Sequence, residues 1–146
     1  MPPLMDHPSP DPAGDGWLPM PGDGFATLIG PFWHRPGADG APPRFAMLAD
    51  ARHANLHGIV HGGMLMSFAD TALGITVWEV MGRQPCVTIQ FGMQFLDAVQ
   101  VGEFVEADVE VLRRSATVVF ARGMLRRGAR QVGSVEGVWK VLRARA

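Results

Sequence analysis

Cysteine is nearly absent: Cys86 is the single one in 146 residues. No internal disulfide framework can form, so an apolar core must hold the fold, and a reducing, cytoplasmic setting is the expectation. An excess of one charge is also missing. Lys and Arg number 13 against 14 Asp and Glu, for a formal net charge of −1. That does not fit a nucleic-acid-binding domain, which is usually clearly basic. The N-terminus lacks the basic start and apolar run of a secretory leader; it carries Asp6 and a series of prolines instead. No internal repeat is found. Hydrophobic residues make up 47% and charged residues 18% of the chain, ordinary for a globular protein, and the length suffices for one domain with one core.

Residues 1–24 are rich in Pro, Gly and Asp and read as a mobile or loosely docked N-terminal extension, with Trp17 and Leu18 as one local anchor. Residues 25–146 read as a single domain. Phe25 to Trp33 looks like a strand interrupted by Pro31. Pro36-Gly37-Ala38-Asp39-Gly40 makes a turn, and Arg44 to Ala51 a second strand that closes a hairpin. The run from Gly63 to Trp78 is apolar on nearly every side when wound at 3.6 residues per turn, so it predicts a buried helix ending near Gly82. Its length approaches a membrane span, but Asp70 and Glu79 inside it and the strands after it argue against one. Four strand-like segments follow. Val87, Ile89, Phe91, Met93 and Phe95 alternate with Thr88, Gln90 and Gln94, and Val105, Ala107, Val109 and Val111 with Glu106, Asp108 and Glu110. Thr117 to Leu125 and Val132 to Leu142 complete the set, joined by breaks short enough for antiparallel neighbours. The fold class expected is α+β, a long central helix wrapped by a curved antiparallel β-sheet.

Asp70 is the unusual residue. A buried carboxylate is costly unless paired, hydrogen-bonded or protonated. Ahead of its helix lies Asn55-Leu56-His57-Gly58-Ile59-Val60-His61-Gly62-Gly63. A helix N-terminus offers unpaired N–H groups and partial positive charge, and glycine lets a ligand approach them. A polarised carbonyl suits that place, Asn55 adds a neutral donor, and Asp70 is fit to activate a water or to attack directly. Taken singly, the glycines also fit a plain turn into a helix, and Asp70 a structural carboxylate bonded to backbone, Ser67 or Thr71. His53, His57 and His61 recur every four residues, but Asn55, Gly58 and Gly62-Gly63 make the stretch a poor helix, so no metal site is expected. His61 reads as a loop-fixing or carbonyl-contacting group and His57 as a surface residue.

At these residues the chain resembles a hotdog-fold acyl-CoA thioesterase of the phenylacetate-degradation (PaaI) type. The likeness rests on Asn55, Gly58, His61-Gly62-Gly63 and Asp70-Thr71-Ala72, extends through Phe91 to Asp97 and Gly102, and covers roughly residues 25 to 143. It implies an acyl-CoA substrate, no cofactor, and a homodimer or homotetramer with each active site between subunits. Asn55 and the Gly62 N–H would polarise the thioester carbonyl, with Gly63 and Gly58 in the binding loop. Asp70 of the other subunit would activate water or act as nucleophile, His61 would position the loop, and Thr88, by position, would help hold the water. Thr88 also fits an ordinary β-branched strand residue. Arg113, Arg114, Arg126, Arg127 and Arg130 fall at predicted strand ends, where some would suit CoA phosphates and others simple solvation. Met64, Met66, Phe68 and Met93 fit an adaptable pocket or plain core. An enoyl-thioester hydratase and a non-catalytic acyl-CoA sensor are the alternatives; the Asn55-to-Asp70 spacing favours the hydrolase, and the first 24 residues are too short for an output module.

Overall fold

The computed structural model describes residues 10–143. Period-two patterning builds most of the sheet. In the strand Phe104–Arg114, Val105, Ala107 and Val109 are buried. Glu106, Asp108 and Glu110 occupy the other face, where they meet arginines of adjacent strands: Arg44 pairs with Glu106 and Asp108, Arg126 with Asp108, and Arg122 with Glu110. One face of the sheet is thus a solvated ionic lattice and the other an apolar floor.

In chain order the elements are β1 (Leu18–Pro19), α1 (Phe25–Ile29), β2 (Phe32–Arg35), β3 (Arg44–Leu48), a 3-10 turn (Ala51–His53), α2 (Gly62–Val80), β4 (Cys86–Phe95), β5 (Phe104–Arg114), β6 (Val118–Arg127) and β7 (Arg130–Val141). The strands form a 7-stranded sheet in the order β1-β2-β3-β5-β6-β7-β4. Every pairing is antiparallel. The helix α2 lies on the apolar floor and touches β3 through β7. Phe68, Leu73 and Val77 of α2 are almost fully buried with Phe45, Met47 and Trp139 of the sheet. The approach is close at Gly123, where a Cβ would stand 3.0 Å from the Leu73 side chain. Truncating Leu73 in such a site would cost about 2–5 kcal/mol. No helix among the described residues is long and apolar enough to cross a membrane.

Four points refine the sequence expectations. First, Phe25 to Trp33 is not one strand. Phe25–Ile29 forms the short helix α1, and the strand begins only at Phe32. Thr27 and Ile29 favour a strand by propensity, but partners distant in sequence collect the α1 carbonyls. Arg52 donates to Leu28 O at 2.7 Å and to Gly30 O at 2.6 Å, and His53 Nε2 bonds Ile29 O at 2.7 Å. Second, α2 is buried on one face only in the protomer. Met64, Leu65, Phe68, Ala69, Ala72, Leu73, Thr76 and Val77 face the sheet, whereas Ser67, Asp70 and Thr71 are half-buried and Trp78 is exposed. Third, the alternation along β4 breaks. A bulge at Ile89 puts Thr88 opposite Trp139 and Gln90 opposite Val138. Thr88 therefore shares the α2 side with Phe91 and Met93, not the outer side with Gln90 and Gln94. Fourth, Trp17 is an anchor: it is buried, packs edge-on to Phe104 at 5.5 Å and carries the Arg35 guanidinium over its ring at 4.5 Å, while Leu18 and Pro19 pair with β2. Residues 1–9, part of the proposed extension, lie outside the described residues.

Candidate active site

The segment ahead of α2 folds back on itself as a small hairpin. Ala54 bridges Val60, Asn55 N–H donates to Ile59 O at 2.7 Å, and His61 N–H donates to His53 O at 2.7 Å. Gly58 closes its tip with φ of +77°, a conformation that glycine adopts without strain. His57 is exposed there. The Asn55 side-chain oxygen accepts from His57 N–H at 2.8 Å. This fixes the amide orientation and turns Nδ2, the donor end, away from that bond. Asn55 and Gly62 thus sit on the two limbs of one hairpin.

His61 is the N-cap of α2. Its Nδ1 accepts from Gly63 N–H at 2.8 Å, and its carbonyl accepts from Met64 N–H at 2.9 Å and Leu65 N–H at 3.3 Å. Of the donors in the first turn, that leaves the N–H of Gly62 without a partner among the described residues. With Nδ1 as acceptor, the neutral imidazole carries its proton on Nε2, a second donor at the same end of the helix. The Phe95 ring lies against Gly62, 3.0 Å from where a Cβ would stand. Nothing in the sequence singled Phe95 out beyond its strand alternation.

Asp70 has one side-chain partner among the described residues. Thr88 Oγ1 donates to Asp70 Oδ1 at 2.7 Å. The hydroxyls nearest in sequence go elsewhere: Ser67 donates to Gly63 O and Thr71 to Ser67 O, each at 2.8 Å. Asp70 is therefore not a carboxylate tied down by its own helix, as the local alternative required. The bulge at Ile89 explains the contact, since without it Thr88 and Phe91 would stand on opposite faces. Cys86, two residues before Thr88, also faces α2, with its Sγ 3.8 Å from Gly74 O. Burial, and then the negative charge of Asp70, push the Cys86 thiol above its ordinary value of 9.0.

Asp70 follows Gly62 by eight positions on α2. At 1.5 Å per residue they lie about 12 Å apart along the axis. A single protomer therefore keeps the Asp70 carboxylate well away from the Gly62 N–H. The three spaced histidines do not gather: both ring nitrogens of His53 are engaged, by Asp50 N–H at 3.0 Å and Ile29 O at 2.7 Å, and His57 is at the hairpin tip. Among the arginines, Arg126 pairs with Asp108, Arg127 with Glu103, and Arg130 with Asp97 and Glu103, while Arg114 bonds the Val80 carbonyl at the end of α2.

One long helix on an antiparallel sheet, with His-Gly-Gly at its start and a carboxylate two turns on, defines a hotdog-fold protein of the PaaI type. Comparison with known proteins agrees. The model of the family described as "Thioesterase superfamily" matches residues 57–134. A Pseudomonas aeruginosa protein, PA0474, named as a candidate esterase, is 33% identical over 113 residues, 77% of this chain and 84% of that protein. A mutant form of the phenylacetic acid degradation protein PaaI from Thermus thermophilus superposes with a TM-score of 0.72 at 26% identity, covering 82% of this chain and 100% of that one. The BH2602 protein from Bacillus halodurans, solved with CoA, has a TM-score of 0.70 at 21% identity, covering 82% and 77%. The chain belongs to the thioesterase superfamily, and membership places it among hydrolases that act on thioesters.

Proposed function

We propose that this protein hydrolyses an acyl-CoA thioester to a free carboxylic acid and CoA, at a site completed by two copies of the chain. The observation that carries the reading is the separation of Asp70, bonded to Thr88, from the free Gly62 N–H on one helix. The thioester carbonyl accepts from Gly62 N–H and Asn55 Nδ2 of one protomer, with His61 Nε2–H beside them. As the carbonyl carbon becomes tetrahedral, its oxygen gains negative charge and these bonds strengthen; each such donor contributes about 3 kcal/mol in well-studied cases. Asp70 of the partner protomer takes a proton from water as the new C–O bond forms. The C–S bond then breaks, and the proton leaves with the CoA thiol. Direct attack by the Asp70 carboxylate, followed by hydrolysis of the anhydride, uses the same geometry.

Two features support pairing of protomers. The strand β4 is at the sheet edge, with exposed Val87 and Ile89, and an open apolar edge favours addition of a second strand. The same strand carries Thr88, so an interface there would lie next to Asp70. The CoA bound by the Bacillus halodurans relative supports a CoA thioester as substrate. A lone, hindered thiol in the whole chain suits a cytoplasmic setting.

The test is thiol release from a panel of acyl-CoA thioesters. Asp70→Asn, which keeps size and an acceptor for Thr88, should lower turnover about 10²–10⁴-fold. Wild-type turnover in that variant would overturn the mechanism. A hydroxyacyl thioester as product, with no thiol released, would instead assign a hydratase.

A further inference from the structure

A cleft of about 350 Å³ opens at the start of α2, walled by Phe25, Leu28 and Ile29 of α1 and by Met64, and ending at His61 and Gly63. Two of its walls are unusual for a surface. Phe25 is 63% exposed and Leu28 73%. They stand three residues apart on the single turn of α1, so they share a side. A helix this short does not hold itself together in water. It is held by Arg52 and by His53, a residue only 5% exposed. Because His53 Nδ1 accepts from Asp50 N–H, its Nε2–H is the donor to Ile29 O. The carbonyl of the same His53 receives the N–H of His61, the N-cap of α2. A continuous hydrogen-bonded path therefore fixes Phe25 and Leu28 with respect to Gly62.

Most of the polar groups lining the cleft are already engaged. All three guanidinium nitrogens of Arg52 are bonded, and Asp50 balances its charge. Both nitrogens of His53 are bonded, and Ser67 donates to Gly63 O. Free capacity remains at His61 Nε2 and at the Ser67 oxygen, both at the Gly63 end, where the thioester carbonyl would sit. The remaining side chains of the lining are the apolar Phe25, Leu28, Ile29, Ala54 and Met64 and the fully bonded Arg52 and His53.

We infer that the α1 face is the acyl wall of the site, and that Phe25 and Leu28 select an uncharged, apolar acyl group. The inference rests on the thioesterase reading above. The cleft is lined by His61 and Gly63, the chain neighbours of Gly62, so the group attached to a carbonyl held at Gly62 can enter it. The pantetheine arm of CoA has two amides, which would lose water there without gaining partners. An acyl group ending in a carboxylate would meet no unpaired cation among the described residues of the lining. An alkyl or aryl chain needs neither, and it covers the two exposed side chains.

The experiment compares kcat/KM for octanoyl-CoA, acetyl-CoA and succinyl-CoA in wild type, Phe25→Ser and Leu28→Ser. In wild type, kcat/KM should rise about fourfold per added methylene until the cleft is full, with succinyl-CoA poorest. Each serine variant should lower the octanoyl-to-acetyl ratio by about tenfold or more. Both residues are exposed, so the fold does not depend on them. Leu112→Ser, at another exposed leucine, on β5 and outside the cleft lining, should leave the ratio as it is. An unchanged ratio in both α1 variants would overturn the inference. So would a shift in oligomeric state with an unchanged ratio, which would give this face to a second copy of the chain. If wild type hydrolyses none of these thioesters, the hydrolase reading fails, and S-alkyl-CoA thioethers test the wall on its own. Affinity that rises with alkyl length and falls in the variants supports it; affinity indifferent to length refutes it.

Discussion

Replacing Thr88 by Val removes a hydroxyl and keeps the β-branched shape, so it separates the two readings of this residue. If Thr88 were only a strand residue, Val would serve at least as well, since its β-propensity is high. If the hydroxyl holds the Asp70 carboxylate, the 2.7 Å bond to Oδ1 is lost. A hydrogen bond to a charged group contributes about 1.5–3 kcal/mol. Thr88 is exposed and Asp70 half-buried in the protomer, so solvent competes and the lower end applies, about 1.5 kcal/mol. Expressed in the transition state, that is roughly a tenfold fall in kcat. KM should hardly move, because the bond orients the acid rather than gripping substrate. Thr88→Ser restores the hydroxyl and should recover most of the rate. The assay is steady-state thiol release on both variants, with circular dichroism to confirm the fold. Equal kcat in wild type and Thr88→Val would refute the positioning role. So would a loss that Ser fails to rescue, since that would trace to packing.

Two further outcomes follow from the same geometry. Mixed dimers of Asp70→Asn and Asn55→Ala, each nearly inactive alone, should regain about a quarter of wild-type activity after unfolding and reannealing together, because half of the random dimers hold one intact site; no recovery would place both residues in one protomer's site. Cys86 should react slowly with iodoacetamide at neutral pH, since burial and the Asp70 charge keep its thiol protonated. Asp70→Asn removes that charge and should speed alkylation at any given pH below the thiol's titration, as read by mass spectrometry; an unchanged rate would mean that Asp70 carries no charge felt at Cys86.

What could be read from the residues follows the range of the forces involved. The helix α2 and the later strands are legible because periodicity is a local property. So is the run from Asn55 through Gly63, whose turn and cap use bonds a few residues long. The face of α2 that carries Asp70 looked buried because its neighbours are apolar, yet the sheet covers only one side of it. Alternation misleads at Thr88. Simple alternation grouped it with Gln90, and only the bulge at Ile89 brings it to the helix. No composition signal marks that bulge, since Val87, Ile89 and Phe91 alternate without a break. The helix α1 is not legible that way: the β-propensity of Phe25 to Trp33 reads as a strand, although Gly24 before the helix and Gly30-Pro31 after it bracket a single turn. The residues that stabilise it, Arg52 and His53, lie more than twenty positions away, beyond any local pattern.

The position of β4 in the sheet also governs when the site comes into being. It is made fourth but stands at the edge beyond β7, and among the described residues β7 is its only ladder partner. On the ribosome, Thr88 emerges long before the strand that will hold it beside Asp70. The hairpin and α2 can form early from contacts close in sequence, while the β4–β7 pairing must wait for a loop closure of high contact order. A nascent chain halted after β6 would carry Asn55, His61, Gly62, Asp70 and Thr88, but no ladder to hold Thr88 against Asp70.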